Sequence, residues 1–188
     1  MPLRINHVFK SFGSKQVLSD FSMEAAEGER VCILGPSGGG KTTLLQIIAG
    51  LLAPDSGEVQ LPEGRISYVF QEHRLLPWLT AEENITAATG CSRELAREML
   101  AAMELGSERK GYPVDFSGGM KQRVNIARAL TFDSTVILMD EPFKGLDPEL
   151  RERIIVRVDE YCRRRTVILV THDRTECEMM KCTKIYEL

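Results

Sequence analysis

The residues most able to do chemistry lie at 35–43: Gly35-Pro36-Ser37-Gly38-Gly39-Gly40-Lys41-Thr42-Thr43. Gly35, Gly40, Lys41 and Thr42 fit the spacing G-x-x-x-x-G-K-[ST] of a phosphate-binding loop. A polyphosphate is surrounded by successive backbone N–H groups only where no Cβ stands in the way, and Gly38, Gly39 and Gly40 give that clearance. A helix opening near Lys41 aims its free N–H groups and positive dipole end at the same charge. Lys41 would reach the β- and γ-phosphates, and the Thr42 hydroxyl would ligate Mg²⁺. Nucleotide binding follows from this stretch; the kind of nucleotide enzyme does not.

Two further clusters carry chemistry. Val136-Ile137-Leu138-Met139 is a continuous apolar run, as in a strand covered on both faces, and it ends in Asp140-Glu141. Adjacent carboxylates at the mouth of a buried strand are costly unless they work. Asp140 can hold Mg²⁺, commonly through water, and Glu141, one residue further out, could orient and deprotonate an attacking water. A pair of solvated acids opening the next turn is the plain alternative. Ser117-Gly118-Gly119 precedes a helical pattern and makes a second anion-binding helix start. His172 follows the apolar run 167–170, at the carboxyl edge where open α/β sheets bind ligands.

These groups need elements to hold them. Leu3–Val8 and Val17–Met23 read as strands around a turn at 12–15, and with no helix between them they imply an antiparallel β layer. On pattern alone Phe12 is a partly buried turn aromatic. The phosphate loop is followed by a helix with Leu44, Leu45, Ile47, Ile48 and Leu51 on one face, ending near Gly50. Strands are expected at 58–61 and 66–70, the second delivering Gln71 at its end. Thr80 and Ser92 can cap helices, the latter with Leu95, Met99 and Met103 on one face. The helix from Met120 to Leu130 carries Lys121, Gln122, Arg123 and Arg128 on its other faces, the usual look of a solvated basic surface. Another runs through Leu150 to Tyr161, and the chain closes on a strand at 183–188. Strands alternating with helices give an α/β fold with a mostly parallel sheet.

Composition narrows the class. The chain has 188 residues, 43% hydrophobic and 27% charged, enough for one well-buried domain. A net charge of −3 argues against nucleic acid as a partner. Five cysteines, scattered and odd in number, with no leader-like N-terminus, point to buried free thiols in a reducing interior. Cys177, Cys182 and His172 fit no zinc spacing. No apolar run approaches the ~18 residues that span a bilayer.

Together the motifs resemble the ATP-binding cassette (ABC) ATPases, in that family's order over essentially the whole chain. Walker A is 35–43, the Q-loop glutamine is Gln71 in YVFQE, and the signature is Phe116-Ser117-Gly118-Gly119-Met120 continuing KQR. Walker B is 136–142, the D-loop is Gly145-Leu146-Asp147, and the switch histidine is His172 in VTHD. The resemblance implies ATP and Mg²⁺ as ligands. It puts Phe12 on the adenine and gives Gly35, Ser37, Gly38, Gly39, Gly40, Lys41, Thr42 and Thr43 the phosphates. Thr42, Gln71 and Asp140 fall to Mg²⁺, Glu141 to general-base catalysis and His172 to the γ-phosphate. Ser117 and Gly119 would reach ATP held by a second copy or a paralogue, with Asp147 at the seam. The implied fold is a P-loop NTPase with an antiparallel β layer (1–28, 55–66), a nucleotide-binding core (29–54, 67–72, 130–188) and a short helical subdomain (73–129) carrying the signature.

The wording of Leu75-Leu76-Pro77-Trp78-Leu79-Thr80, Glu83-Asn84 and GMKQR is similar to nitrate-, sulfonate- and taurine-type importer ATPases. That implies transmembrane permease subunits as partners, a solute-binding protein indirectly, and a cytoplasmic place on the inner face of the cell membrane. Three departures stand out: Phe116 where Leu is usual, a short 71–117 stretch, and an early stop after the His172 strand, which bears on dimer stability. Two other readings compete. A soluble, non-transport ABC ATPase would bring coiled-coil insertions or tandem cassettes, and a P-loop kinase or GTPase leaves Ser117-Gly118-Gly119 and His172 without a role.

Overall fold

A computed structural model describes all residues, 1–188. Strands β1 (Leu3–Phe12) and β2 (Lys15–Ala25) form an antiparallel pair, and β4 (Ser56–Gln60) adds to the other edge of β1, giving the order β2-β1-β4. The inward residues Leu3, Ile5 and Val8 are at most 1% exposed; Leu3 and Ile5 alternate as a one-sided sheet demands, and a bulge at 6–7 carries the inward face on to Val8. The second sheet is parallel, in the order β5-β6-β7-β3-β8, built from β3 (Arg30–Leu34), β5 (Ile66–Val69), β6 (Val136–Asp140), β7 (Thr166–Thr171) and β8 (Lys184–Glu187). All residues of β6 and β7 are buried, as the unbroken apolar runs required.

Six helices complete the chain. Helix α1 (Lys41–Ile48) buries Leu44, Leu45, Ile47 and Ile48 between the two sheets, and Gly50 at φ +70° stops it. Burial of each such side chain contributes about 1.5–3 kcal/mol. Helix α2 (Ala81–Thr89) opens with a capping box: Thr80 Oγ1 accepts from Glu83 N–H at 3.3 Å, and Glu83 Oε2 accepts from Thr80 N–H at 2.9 Å. Helix α3 (Arg93–Ala102), capped by Ser92, turns Ala96, Met99 and Leu100 inward. Met99 and Met103 are buried as the expected Leu95-Met99-Met103 line requires, while Leu95 at 39% exposure departs from it and Ala96 and Leu100 take the inward positions instead. Helix α4 (Gly118–Thr131) packs against α2, α3 and β5. Helices α5 (Pro148–Tyr161) and α6 (Arg174–Met179) cover the far side, α6 being an element that the sequence pattern does not announce.

The cysteine expectation is corrected for two residues. Cys32 of β3 and Cys177 of α6 are joined by a disulfide across 145 positions, with Cα atoms 6.0 Å apart. Packing α6 over the β7/β3 pair brings the two sulfurs together, a consequence of topology rather than spacing. Cys91, Cys162 and Cys182 are free.

Candidate functional site

The phosphate loop leaves β3 at the carboxyl edge of the parallel sheet, where a ligand meets strand ends and helix starts. Gly40 is the residue before α1 and has φ +96°; Gly38 has φ +80°. A Cβ on Gly38 would meet nothing within 4 Å, so that face of the loop opens into the cleft. A Cβ on Gly40 would lie 2.8 Å from the Val17 carbonyl oxygen, and one on Gly35 would collide with the Leu188 carbonyl. Thus Gly38 is free toward ligand, while Gly35 and Gly40 are required by close backbone approach. Lys41 is buried, and its ammonium donates to the carbonyls of Gly35 (2.7 Å) and Pro36 (2.8 Å), bracing the loop from inside.

A 350 Å³ cavity runs along this loop, lined by Phe12, Lys15 and Val17 at one end, Ser37, Gly38 and Gly40 to Thr43 along its floor, and Gln71, Asp140 and Glu141 at the other. Phe12 ends β1 and is 51% exposed, so its ring faces the cleft instead of the partly buried turn that pattern alone suggested. Lys10 Nζ lies 5.6 Å from the centre of that ring. Lys15, which no motif singled out, shares the same end.

Asp140 is the last residue of β6 and 2% exposed. Burial pushes its carboxyl above the ordinary value, against the pull of the Thr42 hydroxyl beside it. Glu141 follows at φ +44°, a strained conformation for a side-chain-bearing residue, held by its N–H donating to the Val170 carbonyl at 2.9 Å. Its carboxylate is 7% exposed and stands between Lys144 Nζ (2.7 Å from Oε2) and His172 Nδ1 (3.6 Å from Oε1). Oε2 is thus buried against the Lys144 ammonium, while Oε1 is the oxygen that faces His172. Burial raises the Glu141 pKa, but Lys144 outweighs it and holds the carboxyl below the usual range. Lys144 is three residues on, in a Glu-Pro-Phe-Lys turn closed by its N–H to the Glu141 carbonyl (3.2 Å); that i, i+3 charge spacing was the readable signal.

Helix α4 frames the other side, and its polar face is not a solvated one. Gln122 is 3% exposed and donates to the Pro142 carbonyl at 2.7 Å; Asn125, fully buried, donates to the Phe70 carbonyl at 2.8 Å. Arg128 donates to the carbonyls of His73 (2.9 Å) and Arg74 (2.8 Å), and Arg123 to those of Met103 (2.9 Å) and Glu104 (3.0 Å). The helix therefore clamps the chain on both sides of Gln71 and the exit of β6. Otherwise orphaned carbonyls explain the buried Gln122 and Asn125 and the half-buried Arg123 and Arg128, and a sequence shows no carbonyls.

Ser117, Gly119 and Asp147 do not line the cleft of their own chain. Ser117 Oγ caps α4, accepting from Met120 N–H at 3.2 Å, which leaves its proton free to donate outward. Asp147 caps α5 in the same way, through Leu150 N–H at 3.0 Å. A Cβ on Gly119 would touch Leu146 at 3.3 Å, so the start of α4 abuts the 145–147 loop. A second cavity, of 520 Å³, joins Gln71 and Glu141 to Gly118, Lys144 and Gly145.

The sequence profile of the ABC transporter family matches residues 18–144. The chain belongs to that family. It is similar to the aliphatic sulfonates import ATP-binding protein of Bacillus anthracis, with 41% identity covering 94% of this chain and 77% of the relative. A Paraburkholderia xenovorans protein of the same description is 43% identical over 89% of this chain and 69% of its own length. Among solved structures, a dimeric ATP-binding cassette in a post-hydrolysis state bound to ADP and Pi superposes with a TM-score of 0.84 at 33% identity, covering 94% of this chain and 90% of the other. Membership makes this ABC chain an ATP-binding ATPase of the transporter type. No helix in it is long and apolar enough to cross a membrane.

Proposed function

We propose that this cassette powers import of a small anionic solute of the aliphatic sulfonate class by binding and hydrolysing ATP between two copies of itself, or itself and a paralogue. The observation that carries the reading is a division of parts. Phosphate loop, Asp140 and Glu141 share one cleft, while Ser117 and Gly119 at the start of α4 line neither it nor the second cavity beside Glu141, which Gly118 alone of the three reaches.

Each residue has a task in this scheme. Phe12 stacks on adenine. Ser37, Gly38, Gly39, Gly40 and Thr43 give donors to the phosphates, and Lys41 leaves the Gly35 and Pro36 carbonyls for the β- and γ-phosphates. Thr42, Gln71 and Asp140 suit Mg²⁺, a hydroxyl, an amide oxygen and a buried carboxylate being the hard oxygen donors it takes. When bound, the ion neutralises charge on the β- and γ-oxygens. Glu141 orients the attacking water through the Oε1 that faces His172, and His172 faces the γ-phosphate across it. Ser117 and Gly119 of the second copy complete the γ-phosphate shell, with Asp147 at the seam. Catalysis is then mainly positioning and electrostatics.

The membrane partner docks elsewhere. A 420 Å³ groove between the sheet edge and the helices is lined by Ala49, Leu51, Tyr68, Phe70, Ala88 and Phe132, with Arg74 and Arg128 at its rim. Tyr68 and Phe70 stack with centroids 4.0 Å apart, and Arg74 lies 4.1 Å over the Phe70 ring. This apolar floor beside Gln71 suits a cytoplasmic permease helix. On this reading the chain sits on the cytoplasmic face of the cell membrane, and its antiparallel layer (1–28 and 55–66), core (29–54, 67–72 and 130–188) and helical subdomain (73–129) keep the division that the family resemblance implies. Replacing Glu141 by Gln is the test: ATP binding persists and turnover falls by about 10²-fold or more. Unchanged turnover would remove Glu141 as the water-orienting group.

A further inference from the structure

His172 is 59% exposed at its side chain and approaches Glu141 only at 3.6 Å, so nothing it touches directly fixes its position. The backbone on either side is what holds it. Thr171 Oγ1 accepts from Asp173 N–H at 3.1 Å, closing a tight loop around His172, and donates to Glu176 Oε2 at 2.6 Å. Asp173 Oδ1 accepts from Thr175 N–H at 2.9 Å. These bonds are internal to the 171–176 segment. One side chain from another element reaches it: Arg151 Nη1 stands 3.0 Å from Asp173 Oδ2 and 3.8 Å from Glu176 Oε1.

Arg151 comes from the first turn of α5, whose cap is Asp147, and its own N–H donates to the Asp147 carbonyl at 2.8 Å. The pair with Asp173 is about two-thirds to three-quarters buried, and Glu176 is 7% exposed, so the contact is shielded from solvent on one side. Both contacts come from Nη1, so the tie is a single end-on charged contact, strengthened by its partial burial. The geometry points to Arg151 as the positioning residue that fastens the His172 loop to the Asp147 end of α5. Closing of a second copy against Asp147 is thereby transmitted to His172 and, through it, to Glu141. This inference rests on the reading of His172 and Asp147 given above and adds the link between them.

The test is a kinetic cycle on the full chain with MgATP, using Arg151→Met, Arg151→Lys, His172→Ala and the Arg151→Met/His172→Ala double variant. Arg151→Met is expected to lower kcat about tenfold with KM within about twofold of wild type, as loss of orientation does. Arg151→Lys, which keeps the charge within reach, should stay within about threefold of wild type. In the double variant the Arg151 substitution should add nothing to the His172→Ala loss, because both act through one imidazole. If Arg151→Met leaves kcat unchanged while His172→Ala lowers it, the tie is refuted and the site reading stands. An Arg151 effect of full size in the His172→Ala background also refutes it. Wild-type turnover in His172→Ala would overturn the reading of His172 itself and the tie with it. Should Arg151→Met melt below the assay temperature, Asp173→Asn cuts the tie from its other end and is judged by the same outcomes.

Discussion

Two glycines of one loop are expected to fail in different ways. Gly38 and Gly40 both have positive φ, +80° and +96°, but only Gly40 is crowded, its would-be Cβ lying 2.8 Å from the Val17 carbonyl oxygen and 2.9 Å from Val17 Cγ1. Gly38→Ala adds a methyl to open space, so its stability loss is the left-handed backbone penalty of about 1–2 kcal/mol. Gly40→Ala carries that penalty plus an overpacking term of about 1–3 kcal/mol, since a strand backbone must move. At about 2–4 °C per kcal/mol for a domain of this size, Gly38→Ala should lower Tm by about 2–8 °C and Gly40→Ala by about 4–20 °C. The nucleotide affinities reverse the contrast per unit of damage. The Gly38 methyl projects into the space reserved for phosphate and should weaken ATP binding at least about tenfold in a protein that stays folded. Thermal melts and titration with a fluorescent ATP analogue measure both. Equal Tm losses, or undiminished affinity in Gly38→Ala, would refute the division of labour.

Other consequences follow from single contacts. Lys144→Gln releases the Glu141 carboxylate from its ion pair, and kcat should rise by at most about fivefold, the ceiling of a half-exposed pair, with ATP affinity unchanged; a fall in kcat would show that Lys144 serves the reaction. Asn125→Ala strips the Phe70 carbonyl of its buried donor and should cost about 1–3 kcal/mol, read as a Tm loss of about 2–12 °C. Arg97 pairs with Glu82 at 2.8 Å and holds its carboxyl below the ordinary value. A depressed carboxyl stabilises the fold above the unfolded pKa and ceases to do so as pH falls through the folded one. Arg97→Met should therefore lower Tm at pH 7 and match wild type toward pH 3; a gap that persists in acid would contradict the ion pair as cause.

Much of this was legible in the chain because the chemistry demands rigid spacings. The phosphate loop, the carboxylates at the end of β6 and the Ser-Gly-Gly that opens α4 are fixed by backbone geometry, and the apolar runs of β6 and β7 announce a parallel sheet. Phe12 was misjudged by pattern, since a ring that faces a cleft and one that packs under a turn have the same neighbours in sequence. Gln122 and Arg128 read as a wet helix face because their partners are main-chain carbonyls 20 and 55 positions away. Cys32 and Cys177 meet only once α6 packs on the sheet, and Arg151 reaches Asp173 only through the packing of α5 beside α6. Distant meetings of this kind leave no periodicity to read.

The central claim is that a complete ATP site takes parts from two copies. Its most direct test is the solution mass of Glu141→Gln with MgATP, by light scattering, alone and combined with Ser117→Arg. The expected result is an ATP-dependent dimer holding two nucleotides, which Ser117→Arg converts to a monomer that still binds ATP. A Glu141→Gln chain that stays monomeric when saturated, or a dimer indifferent to Ser117→Arg, would contradict it.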